Sequence, residues 1–121
     1  MANAIEWEKD LSGALARAKK ENKPVLMDFT ADWCLNCVVV DKKVYARKDI
    51  ADLIKQKNVL AIKADTTVSD YPATIALKDI YNEPGVPVSI LIVPGQNEPQ
   101  RWRGLSFGDE LKSALEQLQN Q

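Results

Sequence analysis

Apolar residues change their spacing along this chain, and the changes lay out helices alternating with strands. Trp7, Leu11, Ala14, Leu15 and Ala18 recur at helical intervals, which predicts an amphipathic helix over 6–21 with Trp7 as a core anchor. Asn22 and Pro24 stop it, and Val25 to Thr30 follows as a largely apolar strand. Val38-Val39-Val40 is β-branched and a poor helix former. A helix from Cys37 to Tyr45 is nevertheless expected, because Cys34, Cys37, Asp41 and Val44 fall on one helical stripe. The pattern breaks near Arg47 and Lys48. Asp49 is the expected cap of a further segment with Ile50, Leu53 and Ile54 on its apolar side.

Alternation returns at Val59 to Ala64, with Leu60, Ile62 and Ala64 on one face of a second strand. Asp65 to Asp70 is a polar loop. Ala73, Ala76, Leu77, Ile80 and Tyr81 then keep helical spacing, with Pro72 allowed in the first turn, and Asn82 to Gly85 ends that helix. Val88 to Val93 is apolar on both faces, as in a covered sheet. Pro94-Gly95 turns the chain into a short partner strand, Gln100 to Arg103. Ser106 and Asp109 resemble a capping box for a last helix buried through Phe107, Leu111, Ala114, Leu115 and Leu118. This order predicts an α/β fold: a mixed sheet of four or five strands, helices on both faces, a right-handed βαβ crossover and a final hairpin.

Composition narrows the function classes. A chain of 121 residues is expected to form a single domain over 1–121. Sixteen basic residues oppose seventeen acidic ones, and a net charge of −1 gives no electrostatic basis for binding nucleic acid or an anionic membrane. The longest apolar run, Val86 to Pro94, is strand-sized rather than membrane-spanning. Ile5 to Asp10 is too polar for the apolar part of a signal peptide. Met1-Ala2-Asn3-Ala4 reads equally as native or as added sequence, and a domain cut from an exported protein would share this composition, so compartment stays open.

The candidate chemistry is concentrated in Cys34-Leu35-Asn36-Cys37, which holds both cysteines of the chain. The pair falls where a strand hands over to a helix. Free N–H groups and the dipole at a helix start favour a thiolate at Cys34, and Cys37, one turn on, can close a disulfide. That is a dithiol able to switch between two redox states. Three other readings compete with it. A zinc half-site lacks ligands, since there is no histidine and no third cysteine. A structural disulfide this short removes little unfolded-state entropy. Two inert thiols leave the strand–turn–helix context without a role. On the redox reading Cys34 attacks and is the more exposed thiol, and Cys37 resolves. Trp33 and Leu35 beside it are expected on an apolar docking surface. A proline opening a central strand suits a turn or a site, so a cis Val86–Pro87 bond is expected, with the Val86 backbone turned toward Cys34.

A Cys-x-x-Cys at a strand–helix junction of a βαβ unit resembles the thioredoxin superfamily over almost the whole chain. Asp28, six residues before Cys34, matches the family's buried acid. Trp33 matches the tryptophan before the first cysteine, Val86-Pro87 the cis-proline loop, and Gly104 a glycine after the hairpin. Ala31-Asp32-Trp33-Cys34, the Leu35-Asn36 spacer, Asp41 and the Ala64-Asp65-Thr66-Thr67 loop are similar to the C-terminal periplasmic domain of the transmembrane reductase DsbD. The spacer lacks the Gly-Pro of ordinary thioredoxins; it also lacks the thiolate-stabilising histidine of oxidising relatives, and that absence argues for a reductant.

The resemblance implies a thioredoxin fold and protein-disulfide reductase activity without a cofactor or metal. Cys34, Cys37, Asp28 and Asp41 would be catalytic. Trp33, Leu35, Asn36, Val86 and Pro87 would bind substrate. Partners would be disulfide-bearing proteins or domains, and no nucleic acid. If DsbD-like, they would be a membrane-embedded electron donor and an N-terminal acceptor domain of the same protein, serving periplasmic clients that include cytochrome c biogenesis. The isolated domain is expected to be a monomer, periplasmic, with a free-standing cytoplasmic thioredoxin or a non-catalytic binding or chaperone module as alternatives. Two carboxylates near one sulfur disfavour its thiolate, so Asp28 and Asp41 are expected to raise the Cys34 pKa, and burial to raise that of Asp28.

Overall fold

The computed structural model describes residues 5–119. Met1 to Ala4, whose origin the sequence leaves open, lie outside the described residues. The elements run α1 (Leu11–Glu21), β1 (Val25–Thr30), α2 (Leu35–Val40), a π-helical turn (Asp41–Tyr45), α3 (Lys48–Gln56), β2 (Leu60–Asp65), α4 (Pro72–Asp79), β3 (Val88–Ile92), β4 (Gln100–Arg103) and α5 (Gly108–Glu116). The four strands form one mixed sheet in the order β2-β1-β3-β4. β1 runs parallel to β2, and β3 runs antiparallel to both β1 and β4.

Each face of the sheet carries its own apolar cluster. On one, Val25, Met27 and Phe29 of β1 pack with Leu60, Ile62, Val88 and Ile90 under α1 and α4. On the other, Leu26, Ala61 and Leu91 pack with Val44, Tyr45, Ile50, Leu111 and Leu115 from the π-turn, α3 and α5. Both faces are covered, which is why the central strands read as near-continuous apolar runs.

Four expectations need correction. The first helix starts at Leu11, not residue 6, because Asp10 caps it by accepting the Gly13 N–H at 3.2 Å. Trp7 therefore precedes the helix, partly buried against the α3/α5-side cluster. Beside it Glu8 makes an isolated parallel bridge to Ile62, which does not amount to a fifth strand. Asp49 is not the cap of α3. Arg47 holds that position, and Asp49 pairs with it from the first turn at 2.7 Å. Ser106 and Asp109 form no capping box: Phe107 is the N-cap without a side-chain bond, and Asp109 reaches Arg47 instead at 2.9 Å. The helix after the cysteines is interrupted at Asp41, where Ala46 N–H bonds the Asp41 carbonyl five residues back at 2.8 Å.

Candidate functional site

Cys34 and Cys37 are joined as a disulfide at the start of α2, with their Cα atoms 5.3 Å apart. Cys34 is the N-cap of α2: its backbone is extended, and its Sγ accepts the Cys37 N–H at 3.1 Å. A sulfur in that position faces the free N–H groups of the first turn, where negative charge is favoured. The pair packs with Ala31 and Val86 in a small cluster at the end of the sheet. With the disulfide closed both cysteines are largely covered, Cys34 at 7% exposed and Cys37 at 3%, so Cys34 is the more exposed of the two.

Three elements frame the disulfide. The β1–α2 loop presents Trp33, 65% exposed, and α2 presents Leu35, 82% exposed, with Asn36 also exposed. Trp33 is held in place: its Nε1–H donates to the Thr67 carbonyl at 3.0 Å, and the Asp32 N–H donates to Thr67 Oγ1 at 2.9 Å. The Asp65-Thr66-Thr67 loop thus latches onto the loop before Cys34, and Thr66 adds bonds from both its N–H and its hydroxyl to the Thr30 carbonyl. The third element is the α4–β3 loop, which carries Val86 against the cysteines and a cis Val86–Pro87 peptide bond.

A polar row crosses the sheet on its α3/α5 face. Asp28 on β1 stands in register with Lys63 on β2 and Ser89 on β3. Asp28 is 2% exposed, and Lys63 Nζ lies 2.8 Å from its Oδ2 and 2.7 Å from Asp41 Oδ1. The same ammonium lies 4.4 Å from the centre of the Trp7 ring and 5.7 Å from that of Tyr45. Tyr45 Oη and Ser89 Oγ are hydrogen-bonded at 2.6 Å. Burial pushes the Asp28 carboxyl up to about 6, against the pull of Lys63. Burial pulls Lys63 down, but Asp28 and Asp41 more than offset it, and its pKa ends above the ordinary lysine value. Burial, reinforced by Asp28, raises the Tyr45 phenol.

The cysteine stripe predicted from spacing includes Asp41, and the side chain lies there. Together with Cys37, Val38, Lys63, Asp65 and Tyr71 it lines a groove of about 660 Å³ on the Cys37 side of the disulfide. Lys63 is the residue that sequence reasoning missed. The signal was available: in the alternation of β2, Lys63 falls on the face opposite Ile62 and Ala64, the face that Asp28 shares on the neighbouring strand.

A four-stranded mixed sheet between helices, a disulfide at a strand-to-helix junction and a cis-proline loop packed against it together define a thioredoxin-type redox domain. The sequence matches the family described as thioredoxin-like over residues 6–94, and the chain belongs to that family. Among its relatives are two Pseudomonas aeruginosa proteins, thiol:disulfide interchange proteins DsbD 1 and DsbD 2. They are 33% and 37% identical over 90% and 84% of this chain. The chain spans 18% and 17% of the length of those two proteins. The C-terminal domain of Neisseria meningitidis DsbD in the reduced form superposes with a TM-score of 0.68. It is 25% identical, with 90% of this chain and 94% of that one covered. The chain is a DsbD-like thioredoxin domain carrying a Cys34–Cys37 pair.

Proposed function

We propose that this domain is a dithiol reductant that passes electrons to disulfides of partner proteins. In the reduced form the Cys34 thiolate attacks one sulfur of the partner disulfide. That bond breaks, the departing partner sulfur takes a proton, and a mixed disulfide joins partner to Cys34. Cys37, as thiolate, then attacks Cys34 Sγ and expels the second partner thiol. Two electrons and two protons have moved, and Cys34–Cys37 is oxidised, the state described above. The observation that carries this reading is the capping geometry, with Cys34 Sγ over the helix start at 3.1 Å from the Cys37 N–H. It favours the thiolate on the attacking sulfur.

The exposed Trp33 and Leu35, with Asn36, form the docking surface, and the Val86 backbone beside Pro87 pairs with an extended partner segment. Asp28 and Asp41 tune the thiol. Likeness to DsbD supports a periplasmic setting, in which a membrane-embedded domain supplies electrons and an N-terminal domain of the same protein receives them. Among the described residues no helix is long and apolar enough to cross a membrane, so such a donor would lie in other parts of a longer protein or in another chain.

Insulin reduction driven by dithiothreitol tests the proposal. The wild-type protein should accelerate it well beyond dithiothreitol alone, and Cys34→Ser should abolish the acceleration. Equal rates for wild type and Cys34→Ser would instead indicate a non-catalytic binding or chaperone module. A Cys37→Ala variant expressed in the native host should retain its partner as a mixed disulfide on Cys34.

A further inference from the structure

Glu83 lies in the loop between α4 and β3, and with Asp28 it makes up the buried carboxylates among the described residues. Its side chain is 2% exposed and is gripped by two arginines of β4. Arg103 forks onto it, with Nε donating to Oε1 at 2.8 Å and Nη2 to Oε2. Arg101 Nη1 donates to Oε2 at 2.8 Å and also to the Tyr81 carbonyl. The two arginines are two residues apart on one strand, so they project on the same face, opposite Val88 and Ile90 of β3. The Arg101 guanidinium lies 5.8 Å from the centre of the Tyr81 ring, and that ring packs edge-on against Phe29 in β1 at 5.8 Å.

The first half of the α4–β3 loop is therefore tied to the edge of the sheet through a side chain, a carbonyl and a ring. Its second half carries Val86, packed on Ala31, Cys34 and Cys37. Only Pro84 and Gly85 separate Glu83 from Val86. A buried carboxylate under two guanidinium groups is poor value for stability alone, since apolar residues of similar volume often serve as well. Its strength is directional, because a bidentate fork fixes an orientation that apolar contacts leave loose.

We propose that Glu83, with Arg101 and Arg103, is a positioning clamp that sets the Val86 backbone over the disulfide at the height where an incoming protein segment pairs with it. This rests on the reductase reading above. The clamp acts on docking and not on the sulfurs, so it matters for an extended polypeptide and not for a small disulfide that needs only access to the Cys34–Cys37 pair.

Steady-state reduction of insulin and of hydroxyethyl disulfide by the same variants decides the matter. Glu83→Gln should raise KM for insulin by about tenfold, the scale of a slight misplacement of a docking element, with kcat within about twofold. Its rate with hydroxyethyl disulfide should stay within about twofold of wild type, and Glu83→Asp should recover part of the insulin KM. Arg103→Lys keeps the charge and loses the fork. It should show the same split, and it carries the test if Glu83→Gln does not fold. Ile54→Val, a core change on the opposite face of the sheet, controls for lost stability and should leave the insulin KM unchanged. Parallel losses on both substrates, or an unaltered insulin KM in a folded Glu83→Gln protein, overturn the clamp. A wild-type protein that does not reduce insulin removes the reductase reading and the clamp together.

Discussion

Asp28 and Lys63 face each other in register across the parallel β1–β2 pair, with Lys63 Nζ 2.8 Å from Asp28 Oδ2. The acid alone would be a buried negative charge on the strand that leads into the disulfide. The pair places there a partly compensated one, and Asp41 restores the negative excess by binding the same ammonium from the π-turn. Two carboxylates sharing one cation make the thiol environment adjustable by a change at any of the three residues.

Thiolate absorbance followed against pH reads this directly. Asp28→Asn and Asp41→Asn should each lower the Cys34 midpoint, by about 0.3 to 1 pH unit given the compensation by Lys63, and the double variant should lower it most. Midpoints unmoved in both single variants would leave the two acids with a structural role only.

The raised Asp28 pKa also predicts how stability depends on pH. An unfolded aspartate gives up its proton around the ordinary value of 3.8, whereas the folded one holds it up to about 6. Between those values the native state binds more protons than the unfolded state, so stability falls as pH rises and then levels off. Asp28→Asn removes that loss. Urea unfolding of the oxidised proteins should show near-equal stability at pH 4 and an advantage of about 3 kcal/mol for the Asp28→Asn protein at pH 8. A constant difference across the range would contradict the assignment.

Trp33 is mostly exposed, and its one hydrogen bond is to the Thr67 carbonyl at the surface. Trp33→Ala should therefore cost only about 1 kcal/mol in unfolding free energy. If the indole docks partner proteins, insulin reduction should slow by about tenfold or more, the scale of a buried aromatic anchor at an interface. A large drop in melting temperature with normal turnover would assign the ring to packing.

Tyr45→Phe keeps the ring packed against Trp7, 5.1 Å away, but strips the hydroxyl from buried Ser89. Leaving that partner unsatisfied should cost about 1 to 3 kcal/mol in urea unfolding at pH 7. Ser89→Ala added to Tyr45→Phe should then cost less than the sum of the single changes, because the orphaned group is gone. Strict additivity would mean that the two hydroxyls are not coupled.

Much of this fold was legible because local and global preferences agree. The strands at Val25 and Gln100, the proline-started α4 and the buried stripe of α5 all follow from residue spacing. The cysteine pair, Asp28 and Val86-Pro87 stood out in the sequence as candidates because each breaks its local rule: cysteines at a junction, an acid in an apolar strand, a proline opening a covered one. The failures have one shape. Asp10, Arg47 and Phe107 set the helix starts, while equally plausible caps nearby, Asp49 and Ser106, were drawn into other contacts or left unused. Glu83 and Lys63 were not among the candidate site residues. Their partners come from strands 18 or more positions away along the chain, as with Arg101, or 35 positions away, as with Asp28, and only sheet register brings them together.

The π-turn at Asp41–Tyr45 holds one residue more than an α-helical turn would, and Lys42 and Lys43 at its outer side are exposed. A surplus residue in a helix is slack. Removing Lys43 would let the turn close to ordinary helical pitch, with Cys37 and Asp41 on one side and Tyr45 on the other keeping their rotational phase. The segment between the sulfurs and the aromatic core thus carries one residue beyond what ordinary helical pitch requires.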